Sequence, residues 1–241
     1  SVVAASQNLL ETAPTWFEAL TAAAFRWFAE APVDVAVVEV GLLGRYDATN
    51  VAEAAVAVVT SIGADHTDLA PGWELAVASE KAGIIEPGST AVLGPLADEL
   101  VPVFAAEGPE RLVRLGHDFD VLDDRVAVGG HVVDLQGLHG RHDEVFLPVH
   151  GRHQVDNAAV ALATVEAFFD REVPRDVADA AFASVELPGR VEVVGHGPLV
   201  VLDGAHNPDA LAALVRTLDE EFSPAGSRLL VLGMLAGRDP V

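Results

Sequence analysis

Val38-Glu39-Val40-Gly41-Leu42-Leu43-Gly44-Arg45-Tyr46-Asp47-Ala48-Thr49-Asn50 and Leu202-Asp203-Gly204-Ala205-His206-Asn207-Pro208 are built alike. Each sets a charged residue at the end of an apolar run and follows it with glycine and polar residues. An open α/β sheet builds its ligand sites this way, beyond the carboxyl ends of its strands.

Working outward, Thr15 to Ala31 has helical spacing, and Pro14 suits a helix start. Val33 to Val40 is a short β-branched run and predicts a buried strand. Asn50 to Ala55 predicts a short helix and Val56 to Ile62 a second buried strand. Gly72 to Ala82 reads as a helix stopped by Gly83, Thr90 to Leu93 as a strand, and Ala97 to Ala106 as a helix. Strands alternating with helices argue for a parallel sheet with helices on its faces.

The pattern changes from Phe119 to His150, where short strands alternate with Gly and Asp, as in an antiparallel meander. An Ala-rich helix, His153 to Phe169, and another, Arg175 to Ser184, follow. Leu187-Pro188-Gly189-Arg190 marks a boundary. Beyond it lie strands at Val191 to Val194 and Leu199 to Leu202, an amphipathic helix from Pro208 to Phe222, and a strand at Leu229 to Leu232. The expected fold class is α/β: a mostly parallel sheet with flanking helices, a small antiparallel meander, and the start of a second α/β unit. Residues 1–187 form the first unit and 188–241 the second.

Composition limits the function. About half of the 241 residues are apolar, enough for a sizeable core. The formal charge of −23, from 37 acids against 14 bases, repels nucleic acid and anionic membrane. It also disfavours polyanionic ligands unless basic residues cluster locally. The lack of cysteine excludes disulfides and thiolate metal sites and suits a reducing compartment. No signal peptide or long apolar span is present, so a cytoplasmic location is expected. Residue 1 is Ser and the only Met is Met234, which reads as a piece of a longer translation product.

A carboxylate such as Glu39, at the end of an apolar strand, needs a partner. Arg45 can supply it, or a metal can. His66, in Asp65-His66 after the next strand, is either a satisfied polar residue or a second ligand on the same sheet edge. One carboxylate and one imidazole do not make a zinc signature, but they suit a divalent ion that also holds phosphate, such as magnesium. Lys81, in Ser79-Glu80-Lys81-Ala82-Gly83-Ile84-Ile85, reads by itself as a surface ion pair. Asn207 can cap a helix that Pro208 starts, and such a helix start attracts anions. Asp203 and His206 flank that turn. Arg190 can reach a phosphate or form a linker salt bridge. Gln154 and Asn157 can cap their helix or read a nucleobase edge.

Taken together, these strings resemble the folylpolyglutamate synthase/dihydrofolate synthase family of the Mur ligase superfamily. The pieces run in family order: Thr15-Trp16-Phe17-Glu18, the Glu39 to Asn50 string, Ser61-Ile62-Gly63-Ala64-Asp65-His66, Glu80 to Ile85, Gly151-Arg152-His153-Gln154 with Asn157, Pro188-Gly189-Arg190, and Asp203 to Pro208. The resemblance implies that Glu39 and His66 hold magnesium, with Lys81 as a further ligand when carbamylated. It implies that Thr15, Trp16, Phe17, Glu18, Tyr46, Asp47 and Ala48 line a pterin-bearing substrate, and that Asn157, Arg190 and Asp203 contact ATP. His206 would lie near the transferred phosphate and, with Lys81, count as catalytic.

The implied reaction is ATP-dependent amide formation through an acyl phosphate, joining L-glutamate to dihydropteroate or a folate, in a monomer. Residues 1–187 would be the central ATP, magnesium and substrate domain, and 188–241 the start of the glutamate-ligase domain. Leu43 stands where the family usually has Gly, and no Gly-x-x-x-x-Gly-Lys-[Ser/Thr] string occurs in the chain. Two other readings are a Mur-type ligase acting on cell-wall precursors and a catalytically inactive binding homologue.

Overall fold

A computed structural model describes residues 13–64, 70–223 and 226–233. Its elements, in chain order, are α1 (Trp16–Glu30), β1 (Val56–Val59), α2 (Trp73–Ala82), β2 (Thr90–Leu93), a 3₁₀ turn (Asp98–Leu100) running into α3 (Val101–Ala105), β3 (Arg111–Arg114), β4 (Asp120–Ala127), β5 (Gly130–Gln136), β6 (Arg141–Leu147), α4 (Arg152–Phe169), α5 (Arg175–Ala183), β7 (Glu192–His196), β8 (Leu199–Leu202) and α6 (Pro208–Glu221).

Strands β1, β2 and β3 form a parallel sheet in that order, with Val56 opposite Thr90 and Thr90 opposite Arg111. Side chains alternate across its plane. Val56, Val58, Val92 and Val113 face a core shared with α4 and the β4–β6 meander, whereas Ala57, Val59, Ala91, Leu93 and Leu112 face a core containing Ala78, Ala82 and Phe104 of α2 and α3. Both faces are covered, which is why these strands read as unbroken apolar runs. On α4, Val155, Ala158, Ala159, Leu162 and Ala163 form one buried stripe at helical spacing.

The α/β class, the meander and the helices on the sheet agree with the sequence. Strand β3 went unread there because Arg111 and Arg114 bracket only two apolar residues. Three expected elements do not form. Val33–Val40 forms no strand and is largely exposed (Val37 is 95% accessible). Among the described residues no strand lies beside it to take its backbone hydrogen bonds, and apolarity without a ladder partner does not make a strand. Asn50–Ala55 is turn and bend rather than helix, following the local Asp47–Thr49 hydrogen bonds. Leu229–Leu232 is likewise exposed and unpaired, with Leu229 90% accessible. Beyond Arg190 the described residues form the antiparallel β7–β8 hairpin followed by α6. No described helix is long and apolar enough to cross a membrane.

At Gly94, just past β2, a Cβ would overlap the Thr60 carbonyl oxygen. Gly94→Ala is expected to cost about 1–3 kcal/mol through overpacking, measured as a lower urea midpoint with an unchanged slope.

Candidate functional site

Two clusters carry the residues singled out by sequence. The first is the Gly41–Asn50 loop, fastened to the last turn of α2. The Arg45 N–H donates to Glu80 O (2.9 Å), and its guanidinium donates to Ser79 O (2.9 Å) and pairs with Glu107. The Asn50 amide donates to Arg45 O (3.0 Å) and Gly83 O (2.9 Å). The approach is close on both sides: a Cβ on Gly83 would sit 2.5 Å from Arg45 Cβ, and one on Gly44 2.8 Å from Ile84 Cγ2 and 3.1 Å from Glu80 O. The loop backbone thus lies on Lys81. Arg45 is committed to Glu107 and is not the partner of Glu39.

Asp47 organises the loop from within. Its Oδ2 accepts from the N–H groups of Gly41 (3.0 Å) and Leu42 (2.8 Å), and its Oδ1 from the Thr49 N–H (2.9 Å) and hydroxyl (2.6 Å). Partial burial works against the charge, but the hydrogen bonds from Thr49, Leu42 and Gly41 outweigh it and hold the carboxyl below its ordinary value. Leu43, inside this brace, has φ 59°, the left-handed region where glycine is at ease and leucine is strained.

Next to the loop, α1 begins with a capping box. Thr15 accepts from the Glu18 N–H (3.2 Å), and the Glu18 carboxylate accepts from the Thr15 N–H (2.7 Å) and hydroxyl (2.8 Å). These bonds hold the Glu18 carboxyl below its ordinary value. The Phe17 ring lies directly on Gly41, where a Cβ would collide with it. Trp16 and Tyr46 project into solvent, 79% and 87% accessible, and Ala48 is half-buried.

Glu39 is exposed and Lys81 half-buried; neither side chain has a hydrogen-bond or ion-pair partner among the described residues. The surface ion pair read at Glu80-Lys81 is absent because Lys81 lies under the loop. His66 lies outside the described residues. Among those described, no three His, Asp or Glu side chains converge tightly enough to enclose a metal ion. Glu39 nevertheless suits magnesium, which takes hard oxygen donors, needs few from protein and keeps several waters.

The second cluster is a cleft of about 220 Å³ lined by His153 from α4, Arg190, Asp203, His206 and the first turns of α6. Asp203 shapes it: Oδ2 accepts from the Val191 N–H (2.9 Å) and Oδ1 from the Ala205 N–H (2.7 Å). Val191 has φ 48°, an outlier for a β-branched residue. Arg190 lies over Gly204, where a Cβ would sit 2.5 Å from its Nη1. Arg190 Nη1 makes a long bond, 3.5 Å to Gly189 O, and no linker salt bridge holds it among the described residues. His206 Nδ1 lies 2.8 Å from Gly204 O, which orients the ring. Asn207 caps α6 by accepting from the Ala210 N–H (2.9 Å), with Pro208 in the first turn.

The structure therefore brings Arg190, Asp203 and His206 together. Asn157 stands on the His153 face of α4, one turn on, exposed and bonded to Gln154 (3.2 Å); it does not line the cleft. Neither amide caps α4, whose N-cap is Gly151. Sequence reading missed His153, because Gly151-Arg152-His153-Gln154 was read for its amide. Burial pushes the His153 imidazole below its ordinary value despite the nearby Asp203. Asp209 was missed too: its Oδ2 accepts from the Ala64 N–H (2.7 Å) and ties α6 to the Ser61–Ala64 segment.

Leu43→Gly is expected to stabilise the protein by about 1 kcal/mol, since glycine carries no left-handed penalty but gains unfolded-state entropy. Thermal unfolding of the variant beside the wild type reads this directly.

The profile described as "Mur ligase middle domain" matches residues 5–165, and that described as "Mur ligase, glutamate ligase domain" matches residues 189–241. The dihydrofolate synthase/folylpolyglutamate synthase of Mycobacterium tuberculosis is 47% identical over 219 residues, covering 86% of this chain and 45% of that protein. The Escherichia coli protein of the same name is 37% identical over 93% of this chain and 51% of its own length. A crystal structure of Mycobacterium tuberculosis folylpolyglutamate synthase complexed with ADP and AMPPCP superposes with a TM-score of 0.87 at 45% identity, covering 92% of this chain and 52% of that one. An FPGS–AMPPCP–folate complex gives a TM-score of 0.84 at 32% identity, over 92% and 55%. The chain spans about half the length of the curated relatives it matches. The chain belongs to the Mur ligase family, and the relatives it matches are folylpolyglutamate and dihydrofolate synthases.

Proposed function

We propose that this chain is part of an ATP-dependent ligase that joins L-glutamate to dihydropteroate or a folate, acting as a cytoplasmic monomer. The observation that carries the reading is the convergence of Arg190, Asp203 and His206 on one cleft, with the capped start of α6 beside them and His153 opposite. One solved relative is a complex with ADP and AMPPCP, and another a complex with AMPPCP and folate.

The cleft residues suit a nucleoside triphosphate. Each Asp203 oxygen accepts one backbone N–H and keeps a lone pair for a ribose hydroxyl. Arg190 presents a planar donor fork, which matches phosphate oxygens. The oriented His206 ring stands beside the start of α6, where the helix dipole favours negative charge. Asn157 would meet the base from the α4 side. Thr15, Trp16, Phe17 and Glu18, with Tyr46, Asp47 and Ala48, would border the pterin. There Trp16 and Tyr46 offer open aromatic faces for stacking, while Asp47 acts mainly by holding the loop.

Glu39, His66 and a carbamylated Lys81 would hold magnesium, which when bound neutralises phosphate charge. The substrate carboxylate oxygen bonds to the γ-phosphorus as the bond to ADP breaks. The glutamate amine then attacks the acyl carbon, phosphate departs, and the amine loses a proton. Catalysis of this kind depends on positioning and charge neutralisation, which the Arg190 fork and the α6 N-terminus serve.

In the full-length protein, ADP release is expected to require both L-glutamate and a dihydropteroate or folate, and not a nucleotide-linked muramyl acid. Arg190→Ala should raise the KM for ATP about 10- to 100-fold, the loss of a charge-assisted contact, and Arg190→Lys should recover little of it. ATP turnover indifferent to glutamate and to every pteroate would overturn the reading.

A further inference from the structure

Residues 209, 213, 217 and 221 recur every fourth position along α6 and so share one face. That face meets the first unit along its whole length. Asp209 accepts from Ala64 at the start, and Ala213 lines the cleft. Thr217, 3% accessible, lies beside Gly151, where a Cβ would sit 2.6 Å from its hydroxyl. At the end is Glu221, its side chain 2% accessible.

A buried carboxylate needs donors, and Glu221 has three. Its Oε1 accepts from His131 Nε2 (3.1 Å) on β5 and from the Gly151 N–H (2.7 Å) ahead of α4, and its Oε2 from His150 Nδ1 (2.7 Å). The other His131 nitrogen, Nδ1, lies 2.6 Å from Asp124 Oδ1 on β4. A neutral imidazole has one N–H and cannot donate to two carboxylates; only the imidazolium satisfies both.

We propose that Glu221 is a positioning residue: through His131, His150 and the Gly151 N–H it fixes α6 against the start of α4 and so sets the width of the cleft between His153 and the Arg190–His206 turn. This rests on the cleft holding nucleotide. None of these groups lines the cleft, so they act only through α6 and α4. The charged and titratable groups around them are Asp124 from β4, His131 from β5, His150, Arg152 and His153 at the start of α4, Asp156 one turn on, and Arg216 with Glu221 from α6.

Glu221 and Asp124 hold the His131 imidazole above its ordinary value, although burial opposes this. Burial also opposes the Glu221 charge, but the two imidazoles and the Gly151 N–H bring that carboxyl down to about 2. A raised imidazole stabilises below its unfolded value, and that stability is lost as pH rises through its folded one. Glu221 is charged throughout this range. The staple therefore loosens on the alkaline side.

The test is AMPPCP affinity of the full-length protein by calorimetry from pH 6.5 to 9, with hydrogen exchange of residues 208–221 in the absence of nucleotide. Wild-type affinity is expected to fall with rising pH more steeply than that of Glu221→Gln, which supplies the baseline for the nucleotide's own ionisation. At pH 6.5 the variant should bind about tenfold more weakly, and its α6 amides should exchange faster at every pH. In the full reaction the loss should fall on the KM for ATP more than on kcat. Should that variant not fold, His150→Asn, which keeps a donor at the Nδ1 position, and His150→Ala, which removes it, replace it. The first should stay within about twofold of wild type and the second should weaken binding. Equal affinity, pH profile and exchange in Glu221→Gln, or in the two His150 variants, overturns the proposal alone. A wild type that binds no AMPPCP overturns the nucleotide reading and the positioning role with it.

Discussion

A carboxylate removed from water must be surrounded by donors, and this constraint orders both halves of the site. Asp47 collects the N–H groups of Gly41, Leu42 and Thr49; Asp203 collects those of Val191 and Ala205; Glu221 takes Gly151 and two imidazoles. Glu166, at the buried end of the α4 stripe, does the same with His139 and Val173. In each case an acid satisfies backbone groups that a loop would otherwise leave to solvent. Part of the large acidic excess thus serves as internal scaffolding. The loops it braces carry the candidate site residues, whereas the parallel sheet supplies the platform.

The same bracing explains where strain is tolerated. Leu43 at φ 59° and Val191 at φ 48° are both unfavourable for their residue types. Each lies within a segment whose neighbouring N–H groups are held by Asp47 or Asp203. Several directed hydrogen bonds over-determine the backbone, so one unfavourable residue does not release it. At Val191 the consequence is geometric, because the unusual turn places the adjacent Arg190 over Gly204 at the cleft rim.

Legibility in the sequence follows from how local each cause is. The β1 and β2 strands were readable because both sheet faces are covered, which leaves an apolar run in the chain. Val33–Val40 carries the same signature without a neighbouring strand, a non-local condition that composition does not record; Leu229–Leu232 fails alike. The Asp203–Pro208 turn was readable because capping by Asn207 and the proline that follows are local. Asp47 was marked for the right loop, but its role as a brace depends on where four donors fall in space. Glu221 was invisible beside Glu220: only packing decides which of two adjacent acids faces inward. His153 was passed over for a similar reason, since its burial against α6 arises from tertiary contact.

An acidic chain is compatible with the proposed polyanionic ligand. A net charge of −23 argues against binding phosphates only if the acids near the cleft project their full field into it. Asp203 and Glu221 project only part of it: backbone N–H dipoles face Asp203 and an imidazolium lies beside Glu221, although both acids still act on His153. The remaining acids are mostly at the surface, and charges beyond roughly 8 Å are largely screened at physiological salt. Within that radius the cleft offers the Arg190 fork and the positive end of a capped helix. The local field, rather than the total charge, decides what can enter. What favours phosphate there is the Arg190 guanidinium together with the start of α6.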